Sequence, residues 1–443
     1  MFQKDLIKDL LLKAASNNKP KNYFVAFSGG MDSTVLLHSL VELDLGVPIT
    51  AIHVNHQNNK FSDEWEKYCS NYAARIDVPF VSHRVDIDMH SGSGIEAAMR
   101  NSRYEAFSNH INKNDWLLTA HHKNDQVETL FLNLFRGSGI DGLSGISVKR
   151  KFLSGALVRP LLDFSKNELR KYALLNKLTW IEDSSNKDNS MDRNYLRNDI
   201  IPQLEKRWPS INKRLTKVTK LAGEAKTRSE DLAKIDLKSV GNIDCYNLLA
   251  FKELTDNRQR NLLRYSLAHL NLPQPSYRQL FEITKNLANK NNKSNTFVSW
   301  SGVCIYRYNC NLYLITQNDK ITNMEDIKIF PNNKMINLGS GMGAISLAQS
   351  EAKGIDLELA KKGLDITFRK GGESFKPLGS IHTRRLKKLL QEKKVFPWMR
   401  DKIPLLMYEN ELVSVGNLWV AEKFSNYNGC ILNWYDRPKV NER

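Results

Sequence analysis

Short apolar runs alternate with amphipathic segments over residues 22–133 of the chain. Runs rich in β-branched and aromatic residues predict strands, whereas apolar residues three or four positions apart predict helices. Four strands are predicted, at Tyr23 to Phe27, Ile49 to Val54, Phe80 to Val85 and Trp116 to Ala120. Four helices are predicted in alternation with them, at Thr34 to Leu43, Asp63 to Ile76, Ile95 to Asn109 and Asp125 to Phe135. This alternation predicts an α/β fold with a doubly wound parallel sheet.

The later part of the chain predicts further domains. Ser165 and Glu168 form a capping-box pair, so a helix is predicted to begin at Ser165 and to end near Lys177. From Ile211 to Ala225, apolar residues at helical spacing and lysines on another face predict a basic helix. We therefore predict an α/β domain over residues 1–205, a basic linker helix over 206–230, a mainly helical middle domain over 231–325 and a small α+β domain over 345–437.

The last predicted domain contains a strongly basic helix, Thr383 to Lys393, between strand-like segments at Asp365 to Arg369 and Leu412 to Val415. Positive charges concentrated on one helix are typical of a surface that contacts nucleic-acid phosphates. Of the aromatic residues that follow, Phe396 or Trp398 could stack on a base, but for Trp398 we favour a place in the core.

Composition adds a strong positive charge to this picture. The 443 residues carry a formal net charge of +17. This surplus attracts polyanions, so RNA, DNA or an anionic membrane is a candidate partner, and a basic surface without a ligand is the alternative. No apolar run reaches the roughly 20 residues of a membrane span, and no signal-peptide pattern is present, which predicts a cytoplasmic protein with no membrane partner. The five cysteines form no CxxC pair and predict free thiols.

A glycine-rich loop, Ser28-Gly29-Gly30-Met31-Asp32-Ser33, joins the first predicted strand to the first predicted helix. Glycines let the backbone approach an anion closely, and the amides at a helix N-terminus favour phosphate. The loop lacks the Lys of a Walker A loop and has Asp32 in its interior instead. Because a carboxylate beside phosphates suits a magnesium ion, the loop predicts a nucleotide site with a metal. An ordinary glycine-rich turn is the alternative.

The loop sequence SGGMDS resembles the pyrophosphate loop, or PP-loop, of the ATP pyrophosphatase superfamily. Members of that superfamily cleave ATP between its α and β phosphates. They adenylate a carbonyl or carboxyl oxygen of the substrate, and a nucleophile then displaces AMP. The resemblance implies a sheet of the adenine nucleotide alpha hydrolase type, with ATP and Mg2+ as cofactors.

Other segments resemble, in order, the family of tRNA(Ile)-lysidine synthases over most of the chain. In the first domain they are His53 to His56, Ile95 to Tyr104, Ala120 to Thr129, Arg136 to Gly139, Arg159 to Leu162, Glu182 to Asn186 and Asp192 to Arg197. In the last domain they are Phe368 to Glu373, Leu386 to Glu392, Pro397 to Arg400 and Ile403 to Leu406. Asn124 stands where the family usually has its first aspartate, so the metal is assigned to Asp125 and not to position 124.

The resemblance implies roles for the matching residues. Catalytic roles and the metal are assigned to the acidic residues and one arginine: Asp32, Asp125, Glu128 and Arg100 are catalytic, and Asp32 and Asp125 hold Mg2+. Cofactor contacts are assigned to Ser28, Gly29, Gly30, Met31, Asp32, Ser33, His53, Asn55, His56, His121 and Arg136. Contacts to tRNA are predicted for Arg193, Arg197, Lys213, Lys217, Arg384, Arg385, Lys387 and Lys388. A zinc site at His53, His56, His121 and His122 is a weaker alternative, because no cysteine supports it.

The family's reaction, as the resemblance implies it, has two steps on the wobble cytidine of a tRNA(Ile) with a CAU anticodon. The cytosine carbonyl oxygen attacks the α-phosphate of ATP and releases pyrophosphate. The ε-amine of free L-lysine then attacks the activated carbon and expels AMP.

Arg100 and Arg103 lie three residues apart on one helix face, where both can reach one anion. A homodimer is allowed for, although the sequence does not fix the oligomeric state.

Three alternatives stay open. A tRNA thiolase of the same superfamily would share the loop, the fold and the basic surface, but the chain lacks the cysteine pair that generally delivers sulfur. A small-molecule synthetase with the same loop is disfavoured by the net charge. An inactive RNA-binding protein is suggested only by Asn124, and the presence of Asp32, Asp125 and Glu128 argues against it.

Overall fold

The computed structural model describes residues 2–15, 19–57, 60–85, 95–183, 185, 188–287, 296–316, 327–339 and 341–441. Contacts divide the chain into two compact units, Met1–Ser229 and Glu230–Arg443. In the described ranges, no helix has both the length and the apolar character needed to cross a membrane. Ser184 and Asn186, which belong to one of the family-like segments, lie outside the described residues.

Six strands form the central sheet of the first unit: β1 (Tyr23–Ala26), β2 (Ile49–Asn55), β3 (Phe80–Arg84), β4 (Trp116–Leu118), β5 (Lys149–Phe152) and β6 (Gly155–Val158). Their order is β3-β2-β1-β4-β6-β5. All neighbours are parallel except β5, which pairs antiparallel with β6 at the edge. The four predicted strands are confirmed, and β5 and β6 extend the sheet beyond them.

The helices of the first unit begin with α1 (Lys4–Ala15), α2 (Met31–Leu43), α3 (Ser62–Arg75), α4 (Ile95–Ser108) and α5 (Lys123–Phe135). They continue with α6 (Ile140–Leu143), α7 (Lys166–Leu175), α8 (Asp192–Tyr195), a π-helical turn (Leu196–Ile200) and α9 (Ile201–Arg207). The predicted helices are confirmed as α2 to α5. The capping box of Ser165 and Glu168 is present at the start of α7, as predicted. The predicted basic helix is part of the longer α10 (Ile211–Val240).

Apolar residues cover both faces of the parallel strands. Val25 and Leu118 are fully buried on one face, in a core to which α1 contributes Ile7. Ile52 and Leu117 are fully buried on the opposite face. Because both faces are covered, the carboxyl ends of the strands are the edge at which polar loops gather.

The first part of the second unit combines helices with a sheet. Its strands are β7 (Gly241–Asn242), β8 (Cys245–Asn247), β9 (Thr296–Trp300), β10 (Val303–Tyr308) and β11 (Asn311–Thr316), in the order β7-β8-β11-β10-β9. Its helices are α11 (Leu248–Glu253), α12 (Asp256–His269) and α13 (Tyr277–Phe281), followed by a π-helical turn (Glu282–Leu287). The sequence has strand-like runs at Phe297 to Trp300 and Cys304 to Tyr308, and these are confirmed as β9 and β10 of the antiparallel sheet that accompanies the helices.

The C-terminal part is rich in strands. They are β12 (Lys328–Ile329), β13 (Ile336–Asn337), β14 (Ala344–Gln349), β15 (Gly354–Ile355), β16 (Leu364–Phe368), β17 (Ser374–Phe375), β18 (Arg384–Arg385), β19 (Pro404–Tyr408), β20 (Glu411–Val415), β21 (Trp419–Val420), β22 (Ser425–Asn426) and β23 (Cys430–Tyr435). Two five-stranded sheets contain all of these strands except the pair β17–β18. The helices are α14 (Leu357–Lys361) and α15 (Leu386–Glu392), and 3-10 turns lie at Pro397–Met399 and Glu422–Phe424.

Two predictions for this part have different outcomes. The basic helix was predicted to begin at Thr383, which is wrong, because Arg384 and Arg385 form β18 and pair with β17. The rings of Phe396 and Trp398 stack at 4.6 Å, and Phe396 is 1% exposed in the hydrophobic core. Trp398 packs against that same core, so the core interpretation of this residue is confirmed.

Candidate active site

The glycine-rich loop lies between the carboxyl end of β1 and the first turn of α2. Gly29 has a φ of +77°, and a Cβ at this position would lie 2.6 Å from Ile181 Cδ1 and 2.8 Å from Cys69 Sγ. The carbonyl oxygen of Gly29 accepts a 2.9 Å hydrogen bond from the Ile181 amide. Both the conformation and the packing therefore require glycine at this position.

The remaining loop residues prepare the start of α2. The Ser28 and Ser33 hydroxyls lie 3.1 Å apart, and the Ser33 and Thr34 hydroxyls each donate to the Gly30 carbonyl at 3.0 Å. Gly30 is the N-cap residue and offers no side chain to the amides of the first turn. Those amides are consequently suited to an anionic ligand such as phosphate.

His53 supports the loop from the neighbouring strand. Its Nδ1 lies 2.9 Å from the carbonyl oxygen of Phe27, the residue that precedes the loop, and its side chain is buried. Burial lowers the pKa of His53, so the ring is neutral near pH 7 and can donate its Nδ1 hydrogen to that carbonyl. His53 on β2 therefore anchors the residue that precedes the loop, and its predicted contact with the cofactor stays a prediction.

His122 joins the loop to the second acidic segment, a role that the sequence did not single out. It is the N-cap residue of α5, where its Nδ1 accepts from the Asp125 amide at 3.4 Å and Asp125 Oδ2 accepts from the His122 amide at 2.8 Å. Its Nε2 lies 3.5 Å from Asp32 Oδ2. Burial alone would lower the pKa of His122, but Asp125 and Asp32 together raise it. The capping pattern His-x-x-Asp in the sequence is the signal that could have identified this residue.

Asp125 and Glu128 are buried together with two arginines. Asp125 Oδ1 accepts from Arg193 Nη2 at 3.1 Å and from Arg197 Nη2 at 3.4 Å. The two oxygens of Glu128 accept from Arg193 Nε at 2.8 Å and from Arg197 Nε at 2.7 Å. Glu128 is 1% exposed, so its charge requires this compensation. Burial opposes ionisation of Asp125, but His122 and Arg193 outweigh it and hold the pKa of Asp125 below its usual value.

Arg193 and Arg197 were predicted to contact tRNA, and in this structure they form these ion pairs. Both guanidinium groups are about three-quarters buried and point to the carboxylates of α5. Burial would lower the pKa of Arg193, whereas Asp125 and Glu128 raise it. The two arginines therefore neutralise the carboxylates of α5, and their contact with tRNA stays a prediction.

The Asn55 side chain forms hydrogen bonds with three neighbouring residues. Its amide donates to Asp63 at 3.1 Å and to Glu66 at 2.8 Å, and its carbonyl accepts from the Gln57 amide at 2.9 Å. The side chain thus ties the end of β2 to α3, and the predicted cofactor contact of Asn55 stays a prediction.

His56 and His121 lie at the carboxyl ends of β2 and β4. His56 Nε2 is 3.4 Å from Arg103 Nη2, and His121 Nδ1 is 2.9 Å from the Thr119 hydroxyl. Burial lowers the pKa of each histidine to about 4, so both rings are neutral at physiological pH. Both residues lie at the edge that the sequence predicted.

Arg100, assigned to catalysis, and Arg136, assigned to the cofactor, differ in position. Arg100 is exposed on α4, with its guanidinium 5.7 Å from the centre of the Tyr104 ring. Arg136 follows the last residue of α5 and is exposed. Eleven residues of helix place it about 16 Å from Asp125 along the axis. Arg136 therefore lies at the far end of α5 from Asp125, and its predicted cofactor contact stays a prediction.

Asn124 has a structural partner of its own. Its Oδ1 accepts a 3.1 Å hydrogen bond from the Lys166 amide in the first turn of α7. The amide side chain thus joins the starts of α5 and α7, and the departure from the family pattern leaves Asp32 and Asp125 in place.

The predicted tRNA-binding lysines are all on the surface. Lys213 and Lys217 are exposed on α10, and Lys387 and Lys388 are exposed on α15. Arg385 is exposed as well, whereas Arg384 forms an ion pair with Glu392. Lys213, Lys217, Arg385, Lys387 and Lys388 are therefore accessible to a polyanion.

Within the described residues, no group of three or more His, Cys, Asp or Glu side chains is arranged to hold a metal ion by itself. The zinc alternative consequently gains no support. Asp32 Oδ1, however, is buried and has no hydrogen-bond partner. Such an oxygen is suited to a cation that a bound ligand would share.

Three family models match the chain in order. They are a PP-loop domain over residues 4–204, a TilS substrate binding domain over residues 247–313 and a TilS substrate C-terminal domain over residues 364–434. The PP-loop match covers the first-unit sheet and the carboxylate cluster.

Curated relatives match nearly the full length. The tRNA(Ile)-lysidine synthase of Coxiella burnetii is 34% identical over 91% of this chain and 90% of its own length. That of Vibrio vulnificus strain CMCP6 is 35% identical over 93% of this chain and 94% of its own length. Among solved structures, the U34-tRNA thiolase NcsA from Methanococcus maripaludis has a TM-score of 0.41 and 18% identity, over 50% of this chain and 78% of that one.

Proposed function

The chain belongs to the tRNA(Ile)-lysidine synthase family, and on this premise we propose that it joins free L-lysine to the wobble cytidine of a tRNA(Ile) with a CAU anticodon. The product is lysidine, which changes codon reading from AUG to AUA. The observation that carries the proposal is the nearly full-length match to synthases of this name, together with matches to all three domains. The likeness to a thiolase is distant, and the sequence has no CxxC pair.

The PP-loop is proposed to hold the phosphates of ATP. The unfilled amides at the start of α2 and the hydroxyls of Ser28 and Ser33 provide donors for them. The unpartnered Asp32 Oδ1 fits a magnesium ion that is bound mainly by phosphates and by one or two carboxylates. Magnesium would supply neutralisation of the phosphate charge. Asp125 could be the second carboxylate only if it released Arg193 and Arg197.

Asp125 and Glu128 are proposed to receive the lysine amine. A carboxylate pair at the strand ends can orient an ammonium group and take its proton, which leaves the neutral amine for attack on the activated cytosine carbon. In the structure both carboxylates are engaged by Arg193 and Arg197. The amine would therefore have to compete with the two guanidinium groups for Glu128.

The exposed cations of α10 and α15 are proposed to bind tRNA phosphates, as predicted from their charge pattern. The substrates ATP, lysine and tRNA are cytoplasmic, so we assign the protein to the cytoplasm. The homodimer stays a prediction, and the sedimentation coefficient of the purified chain would decide it.

The test is nucleoside analysis of a tRNA(Ile) transcript with a CAU anticodon, after incubation with the protein, ATP, Mg2+ and labelled lysine. Label in the wobble nucleoside that depends on ATP is the expected result. A transcript with a CAU anticodon from a methionine tRNA is the matched control and should remain unlabelled. AMP release without incorporated lysine would retain an ATP pyrophosphatase and reject lysine as the nucleophile.

A further inference from the structure

Four arginines gather near Tyr104, beside the catalytic carboxylates. Arg100 and Arg150 lie 5.7 Å and 5.3 Å from the centre of the Tyr104 ring, and Arg159 interacts with its hydroxyl. Arg103 is one residue before Tyr104 on α4. The charges of Arg100 and Arg159 lower the pKa of His121, and that of Asp125 raises it. These two arginines therefore lie near the candidate active site.

None of these four arginines pairs within 4.0 Å with a carboxylate whose side chain the structure describes, which leaves out acidic residues 86, 88 and 96. They contrast with Arg193 and Arg197, which each contact two carboxylates. Like charges that are held together without counter-ions are unfavourable, so the cluster has a deficit of negative charge that a ligand can supply.

Two buried donors in this region have no acceptor. Arg159 is only 4% exposed and donates through Nη1 to the Ser147 carbonyl at 2.6 Å, while its Nε has no partner. His56 Nδ1 is also buried without a partner. Because Arg103 donates to His56 Nε2, the neutral ring carries its hydrogen on Nδ1 and can donate it. Unused donors next to excess positive charge call for an anion with several oxygens.

The pKa of Tyr104 shows the effect of the same positive charges. Burial alone would raise the pKa of its phenol, but Arg159, Arg100 and Arg150 hold that pKa below the usual value. For the guanidinium of Arg159 the balance is reversed, since burial lowers its pKa and Arg150 and Arg100 lower it further. Both effects have the sign expected of a cationic site without its anion.

We propose that Arg100, Arg103, Arg150 and Arg159 form a binding site for a phosphate group adjacent to the catalytic carboxylates. Arg159 is the buried member of the site, and the other three arginines are exposed to solvent. A phosphodiester of the RNA substrate suits this arrangement, because a polymer can reach exposed cations while the PP-loop holds the phosphates of ATP. The proposal rests on the proposed function only for the identity of the substrates that carry the phosphate.

The experiment compares the full-length protein with Arg103→Gln, Arg150→Gln and Arg159→Met. Arg170→Gln, an exposed arginine on α7, is the matched control for loss of one charge. Binding of a tRNA(Ile) transcript is measured at several salt concentrations without ATP. Binding of a non-hydrolysable ATP analogue is measured without RNA, and binding of lysine is measured with that analogue present. The exposed variants keep the test valid if Arg159→Met fails to fold.

For an RNA phosphate, each cluster variant should weaken RNA binding about tenfold and reduce the salt slope by about 0.7 to 0.9, with ATP-analogue affinity unchanged. Weaker binding of the ATP analogue alone would also support the site and would assign its phosphate to ATP. Unchanged affinity for both ligands, or a loss confined to lysine, would overturn the proposal. These measurements need no turnover, so failure to form lysidine and failure of the phosphate site are separate results.

Discussion

His122 Nε2 lies 3.5 Å from Asp32 Oδ2, and this contact joins the first turn of α2 to the N-cap of α5. One oxygen of Asp32 is thereby directed to a buried histidine, whereas Oδ1 remains without a partner. The same imidazole accepts from the Asp125 amide through Nδ1. A single ring thus sets the relative positions of the PP-loop carboxylate and the second acidic segment.

Replacement of His122 by asparagine separates the two roles of the ring. Asparagine is an equally good N-cap residue and can still accept from the Asp125 amide, but it is too short to reach Asp32. We expect the thermal midpoint to stay near that of the wild type while ATP-dependent AMP formation falls roughly 10- to 100-fold. Ser276→Asn, at the N-cap of α13, is the control. Wild-type turnover in His122→Asn would show that Asp32 needs no support from the ring.

Asp32→Asn removes the charge of the PP-loop carboxylate and keeps its shape. AMP formation should fall at least about 100-fold, because the electrostatic partner of the phosphates is lost, whereas tRNA binding should persist. AMP release is followed with labelled ATP, and tRNA binding by filter retention. Substantial turnover in this variant would remove Asp32 from the mechanism.

Glu128→Gln leaves Arg193 and Arg197 with one carboxylate fewer. Breaking a buried ion pair on one side costs about 3 kcal/mol, so the free energy of unfolding of the first unit should fall by about that amount in urea. Glu224→Gln, which removes the carboxylate of an exposed pair with Arg228, should leave stability unchanged. Equal stability of both variants would mean that the buried cluster does not stabilise the folded unit.

Charge reversal of Lys387 and Lys388 tests the RNA surface of α15. Each lost phosphate contact should lower the slope of log affinity against log salt by about 0.9, so the double variant should bind tRNA more weakly and with a flatter salt dependence. Reversal of Lys361 and Lys362, at the C-terminal end of α14, changes the net charge equally and serves as the control. If both double variants behave alike, only the overall charge matters and α15 has no specific contact.

His121 makes stability depend on pH. Its pKa is lowered from 6.5 to about 4 by burial, so between these values the unfolded chain binds a proton that the folded state does not. Stability is therefore expected to be complete above about pH 6.5 and to decrease as pH falls toward 4. In His121→Gln this decrease should be smaller, as measured by urea unfolding at pH 7 and pH 5. His382→Gln, on an exposed loop, should retain the wild-type dependence.

Much of this architecture can be predicted from short segments of the sequence. Apolar runs and helical patterns predicted the parallel strands around β1 and the helices after them, because a buried strand or a buried helix face requires apolar residues at fixed positions. The SGGMDS loop and the Ser165 capping box were recognisable for the same reason, since their geometry is complete within six residues. Strands β5 and β6 were missed because each has only four residues, and helix α1 was missed although Ile7, Leu11 and Ala15 recur at helical spacing.

The positions of charged groups were decided by the tertiary structure. Arg193 and Arg197 resembled a basic RNA-binding segment, but in the folded chain both donate hydrogen bonds to Glu128, which lies more than 60 positions earlier. Asn55 and Arg136 matched family segments, and the tertiary structure holds Asn55 against Asp63 and Glu66 of α3 and places Arg136 after the last residue of α5.

Short-range spacing was therefore sufficient to recognise the family, the sheet, the phosphate loop and the set of acidic residues. The three-dimensional arrangement was needed to show that His122, and not its neighbour His121, contacts Asp32, and that Arg159 is buried with no carboxylate partner among the described residues. The physical reason is that the charge balance of a buried group depends on partners from distant segments. Their separation in space is fixed by the packed sheet and its loops, and the sequence order does not record it.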